Sequence, residues 1–313
     1  MLREGWVALC SAAAASVLVA AARRKTAAPP PNGELASVYA NIRKQADERA
    51  LGWPHAEAML SKCTLDAAGR PHPPAFTDGH GPIGAYAMLR SRENLELLRW
   101  CREAFDAFVS DLRQCLPPNT HQEFDRMLWI NAEWSYHSCV TVFHEHPSLL
   151  SEVERANWQP VDATLAARLA CELREATSGL ASPALELDSL SVTADGAFIV
   201  GFTDDRANSF QALRVAAAAC GQATIGGQLT SRPKALIHVT LGRVLGAPAG
   251  LTPADRASVA RVVRHHNGVV LPTRVERAPC RTLQVSTLSL ARDAVWWMTE
   301  HELIDTWDLR PSL

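Results

Sequence analysis

The chain has 313 residues, with 31 Lys+Arg against 33 Asp+Glu and a formal charge of −2. That length gives one large domain or two small ones and buries enough surface to need neither disulfides nor a structural metal; 47% apolar and 20% charged residues exclude a disordered or collagen-like chain. The balanced charge argues against a protein that grips duplex DNA, which needs a net basic face, but leaves room for a small phosphate site.

Residues 6–22 carry no charge, and Arg23, Arg24 and Lys25 follow at once. At about 1.5 Å per residue, such a run sits at the lower limit for crossing a bilayer. Three readings stay open. A signal anchor would keep the bulk of the chain membrane-tethered on the cytosolic side. A secretory signal would be cleaved near the small residues Ala20 to Ala22, and an organellar transit peptide fits the basic, acid-poor composition. The Pro-rich stretch 27–33 reads as a linker, so the folded part is expected from Glu34. The eight cysteines form no CxxC pair and read as free thiols of a reducing compartment.

Helical periodicity covers 35–50 and 93–114; in the second, Leu95, Leu97, Leu98, Cys101, Phe105, Phe108, Val109 and Leu112 share one broad face. The Pro/Gly/His-rich stretch 70–84 between them reads as a loop, and 120–131 as a helix. A strand is expected over 136–143, a helix over 161–177, and a hairpin over 185–192 and 197–202 around Asp195-Gly196. A helix over 205–220, a strand over 236–244, a helix over 253–266 and a strand over 281–290 complete the series. The pattern is α+β: a hydrophobic leader over 1–33, a helical region over 34–133, a two-lobed unit over 134–300 and a tail over 301–313.

Chemistry gathers at the centres of the two strands over 136–143 and 236–244. Alternation puts His238 and Thr240 on one face and Val239 and Leu241 on the other; in the first strand His137 shares a face with Cys139 and Thr141. Two imidazoles facing each other across a cleft suit the opening of a cyclic phosphodiester. One takes a proton from water and the other protonates the leaving alkoxide, near an unperturbed pKa of about 6.5 and with no metal or cofactor. Hydroxyls two residues along each strand can hold the non-bridging phosphate oxygens.

His238-Val239-Thr240-Leu241 resembles the His-x-Thr/Ser-hydrophobic motif of the two-histidine (2H) phosphoesterases, the superfamily of 2′–5′ RNA ligase-like proteins and cyclic nucleotide phosphodiesterases. The stretch from Tyr136-His137-Ser138-Cys139 to Phe143-His144-Glu145-His146-Pro147 resembles the first motif of its eukaryotic branches. The likeness spans about residues 120–300. It implies a bilobal α+β fold with a pseudo-twofold cleft, His137 and His238 as the acid–base pair, Thr240 on phosphate, and a nucleotide or RNA-end substrate. Cys139 departs from the motif, which has Ser or Thr there; a thiol is a weak hydrogen-bond donor, and Thr141 is the candidate substitute.

Other signals compete. A membrane-tethered binding or scaffold protein would keep this fold and lose turnover through Cys139. His144 and His146 share a strand face and could open a metal site, giving a metal-dependent hydrolase. Gly79 to Gly84 fits GxGxxG, but no strand precedes it and Pro82 interrupts it. His265-His266 reads as a solvated helix end, Trp296, Trp297 and Trp307 as packing residues, and Trp129 and Trp134 as candidates to line the cleft. A nucleophilic Cys139 beside His137 is disfavoured by their placement along one strand.

Overall fold

The computed structural model describes residues 37–42, 44–45, 60–61, 63–226, 229–230, 234, 236–296 and 300–311. Three antiparallel ladders account for the strands. A short one joins β1 (Thr64–Leu65) to β2 (Pro71–His72). Two larger sheets use β3 (Ile83–Met88), β4 (Leu128–Ile130), β5 (His137–His144), β6 (Ala184–Val192), β7 (Ala197–Thr203), β8 (Ile237–Val244), β9 (Thr282–Gln284), β10 (Thr287–Asp293) and β11 (His301–Asp308). Their orders are β11-β10-β3-β5 and β4-β8-β7-β6-β9. β5, at the edge of the four-stranded sheet, lies against β8 of the five-stranded one.

The helices are α1 (Arg92–Cys115), α2 (His121–Arg126), α3 (Glu152–Ala156), α4 (Ala163–Thr177), α5 (Ser209–Ile225), α6 (Pro253–His265) and α7 (Leu271–Glu276). Ser91 caps α1 by accepting from the Asn94 amide, and Pro117-Pro118 prevents continuation beyond Leu116. The apolar face of α1 buries Phe105 and Phe108 against Phe198 of β7. α1 also packs on α6, β8 and β9, so this layer covers the face of the five-stranded sheet that carries Val200, Val239 and Leu241. The four-stranded sheet is covered by α5 on β5 and α4 on β11, with Leu213 and Ala217 of α5 in the same continuous core. Each sheet thus has one helix-covered face; Tyr86, Met88, Ile199 and Ala291, on the opposite faces, stand outside that core.

Several expected elements change. Residues 70–84 are not loop throughout: Pro71–His72 forms β2, and Ile83 opens β3, buried along its whole length between β10 and β5. A strand buried on both faces shows no alternation, and the preceding Pro and Gly residues hide its start. The expected helix over 120–131 ends at Arg126, and Leu128–Ile130 pairs with β8. The expected strand over 281–290 is two strands, β9 and β10, in different sheets.

The domain boundaries shift accordingly. The region 34–133 does not stand apart, because β3 is a central strand of the sheet that contains β5. The tail over 301–313 contains β11, anchored by buried Trp307, whose indole donates to Thr177 Oγ1 at 2.9 Å. His266 is no solvated cap: it is 1% exposed and sits 2.8 Å from Asp111 Oδ2. Among the described residues no helix is long and apolar enough to cross a membrane; the leader over 6–22 and the linker lie outside them.

The β6–β7 hairpin turns at Asp195-Gly196 as its sequence requires. Gly196 has φ +79°, and a Cβ there would stand 2.0 Å from the carbonyl oxygen of Val244. Gly196→Ala combines left-handed strain with a backbone clash and should destabilise the fold by at least about 1–3 kcal/mol. An unchanged thermal midpoint would contradict this account of the turn.

Candidate functional site

β8 has the inside–outside pattern that its sequence requires, with one interruption. His238 and Thr240 are half-buried, while Ile237, Val239 and Leu241 are buried. A register shift opposite Phe198/Ile199 then puts both Leu241 and Gly242 on the core side and returns Arg243 to the face of His238 and Thr240. On β5, His137 and Cys139 are half-buried and pair with Met88 and Tyr86 of β3.

Thr141 does not continue that row. A register shift at Ala85/Tyr86 makes Cys139 the partner of Tyr86 and Thr141 the partner of Ala85, a residue of the main core. The bulge therefore turns Thr141, 6% exposed, away from the face that carries His137 and Cys139. The sequence expectation that Thr141 could stand in for Cys139 fails on this geometry, because simple alternation does not survive an extra residue.

The two imidazoles lie within each other's electrostatic reach. Burial pushes His238 down to about 3, helped by the positive charges of His137, Arg214, Lys234 and Arg243. Burial likewise pushes His137 down to about 4, offset by the Ser135 carbonyl and reinforced by His301. Both rings are neutral at pH 7. His137 Nδ1 stands 2.8 Å from Ser135 O, and a carbonyl can only accept, so Nδ1 carries the proton and Nε2 keeps its lone pair. His238 Nδ1 is buried with no hydrogen-bond partner among the described residues.

Side chains tie the two strands together where no ladder does. Arg214 of α5 donates from Nη2 to Cys139 O at 3.1 Å and to Leu236 O at 2.5 Å. A second connection runs from His137 to Ser135 O, from Ser135 Oγ to Asn131 Oδ1 at 2.6 Å, and from Asn131 Nδ2 to Thr240 O at 3.0 Å. Asn131 and Ser135 are 4% and 1% exposed, so each bond is shielded from competing water.

The wall beside His137 is aromatic and acidic. The Tyr86 ring meets His137 edge-on at 5.1 Å, and its hydroxyl donates to Asp293 Oδ1 at 3.1 Å. Gly84 makes room for that ring, since a Cβ there would stand 2.6 Å from it. Burial raises Asp293 to about 8, offset by the Tyr86 hydroxyl and reinforced by Glu145, so its carboxyl is largely protonated at neutral pH. Burial also raises the Cys139 thiol, which keeps it neutral and speaks against a nucleophilic role. Opposite, Arg243 pairs with Asp195 at 2.8 Å.

Sequence reasoning missed Tyr86, Asn131, Ser135, Arg214 and Asp293. Of these only Arg214 leaves a trace in the sequence, as the one charged residue of the Ala-rich helix α5. The other candidate motifs disperse. His144 stacks on Trp158 at 5.3 Å, whereas His146 sits 3.0 Å from Asp78 Oδ2 and 2.7 Å from Ser148 Oγ. No group of three His, Cys, Asp or Glu side chains able to hold a metal ion occurs among the described residues. The GxGxxG stretch runs into a strand, not a helix, so its glycines cradle no helix N-terminus.

No family model matches this sequence, and no curated protein is significantly similar to it. Two solved structures are similar over most of their length. TT0787 of Thermus thermophilus aligns with 74% of this chain and 100% of its own at 14% identity and a TM-score of 0.38. The E. coli LigT structure, complexed with NADP+, aligns with 73% and 97% at 13% identity and a TM-score of 0.36.

Asn131→Ala removes one donor and one acceptor from the buried connection between His137 and Thr240. Chemical denaturation should show a loss of about 1–3 kcal/mol. A loss below about 0.5 kcal/mol would mean that water replaces the side chain and that the connection does not hold the two strands.

Proposed function

We propose that this protein is a two-histidine phosphoesterase that hydrolyses a cyclic phosphodiester on an RNA end or a small nucleotide without a metal. The supporting observation is that His137 and His238, half-buried on strands of two separate sheets, lie within electrostatic reach of each other, with Arg214, Lys234 and Arg243 also acting on His238. That arrangement favours an anion between the rings. The hydrophobic leader over 6–22 would serve as the anchor or targeting segment.

In this reading the phosphorus centre lies between the imidazoles. His137, with its proton fixed on Nδ1, takes a proton from water through Nε2, and the Ser135 carbonyl stabilises the imidazolium that results. The water oxygen forms the new P–O bond, the ring P–O bond breaks, and His238 delivers a proton to the departing alkoxide. Thr240 Oγ1 holds a non-bridging oxygen, and the nearby cations offset the charge that accumulates there. Cys139, at the place the motif gives to Ser or Thr, contributes little as a donor.

The Cys139 thiol supports a second reading, a binding or scaffold protein on the same fold that holds nucleotides without turnover. An assay of 2′,3′-cyclic nucleotides in excess chelator separates the two. Hydrolysis is expected in chelator, with His137→Ala and His238→Ala each losing about 10²–10⁴-fold in kcat at unchanged thermal midpoints. Binding without hydrolysis would favour the scaffold, and activity abolished by chelator would overturn the metal-independent mechanism.

The pH dependence has a definite sign. The base must be neutral, so activity falls as pH drops through the pKa of His137; the acid must be protonated, so activity falls as pH rises through that of His238. Both values lie below 6.5, depressed by burial and by the charges of His301, Arg214, Lys234 and Arg243. The kcat/KM profile should therefore peak on the acid side of 6.5. A maximum above pH 7 would contradict the assignment.

A further inference from the structure

Trp134 is the only Trp, Tyr or Phe among the described residues that is exposed, at 51%. It lies in the short turn Glu133–Ser135 that leads into β5, three residues before His137, a separation of at most about 10 Å along the chain. The His301 ring lies against its indole at 5.8 Å and a 36° tilt, and Arg90 Nε donates to the Trp134 backbone carbonyl at 3.1 Å, which ties down the turn that carries it. The same His301 is close enough to His137 to lower its pKa. An indole with His301 against it, half in solvent and on the turn that leads to His137, offers a flat surface for stacking.

We propose that Trp134, backed by His301, is the platform on which an unpaired nucleobase of the substrate stacks while its phosphate lies between His137 and His238. This rests on the phosphoesterase reading and narrows it: the substrate carries a base in single-stranded form, and base identity matters little because every base offers a π-face. A flat aromatic ring on a ribose phosphate spans the short path from the cleft to the indole, whereas a base-paired end would leave the indole uncovered. The adjoining Ser135 carries the carbonyl that fixes the His137 tautomer, so the platform and the proton acceptor belong to one rigid turn.

Calorimetric titration with adenosine 2′-monophosphate and with base-free 1-O-methylribose 2-phosphate tests this without relying on turnover. The wild type should bind the nucleotide on the order of tenfold more tightly, the size of one stacking contact. Trp134→Ala should erase that difference while binding the base-free phosphate as the wild type does, and Trp134→Phe should keep most of it. A difference retained in Trp134→Ala, or both ligands weakened alike, overturns the platform and leaves the phosphate site standing. If the wild type binds neither compound, the platform fails together with the phosphoesterase reading.

Discussion

The site depends on a buried guanidinium whose bonds go to backbone carbonyls. Arg214 is 6% exposed, and it donates to two neutral carbonyls, Cys139 O on β5 and Leu236 O at the entry to β8. The Asp204 carboxylate, which accepts from the Phe210 and Gln211 amides at the start of α5, favours the charged guanidinium electrostatically. Burying such a charge costs several kcal/mol, and charge-assisted hydrogen bonds of about 1.5–3 kcal/mol each offset part of that cost. The return is geometric. β5 and β8 share no ladder, so side chains decide how their inner faces meet.

The same charge shapes the chemistry. Burial first, and then the charges of His137 and of a guanidinium that cannot neutralise itself, make the imidazolium form of His238 expensive, and the same cation favours an anion nearby. His137 stands in a different environment, with a carbonyl at Nδ1 that fixes one tautomer and steadies its charged form. Two residues of one type thus acquire unequal surroundings. On the far side of Tyr86, Asp293 is kept protonated by burial, so the acidic wall carries less negative charge toward a phosphate than its composition suggests.

Much of this was legible in the sequence because it rests on local pattern. The helical face of Leu97, Leu98, Phe105 and Phe108, the Asp195-Gly196 turn and the His238/Thr240 alternation each follow from spacing within a few residues. What escaped depends on distant partners or on irregularity. β3 was hidden because a strand buried on both faces lacks alternation, and β11 because its edge position leaves it largely exposed. The bulge at Val140 that removes Thr141 from the site is set by the β3 register, which no local pattern records. Asn131 and Ser135 resemble ordinary loop residues until the fold brings Thr240 beside them.

The central claim is that His137 and His238 face a common anion site. Histidine-selective NMR, followed during titration with inorganic phosphate, tests it most directly. Both ring signals should move along one saturation curve, and their midpoints should rise from about 4 and about 3 toward neutrality as the bound anion offsets the surrounding cations. If one ring stays unmoved, or the two follow different saturation curves, the imidazoles do not share a site and the account is contradicted.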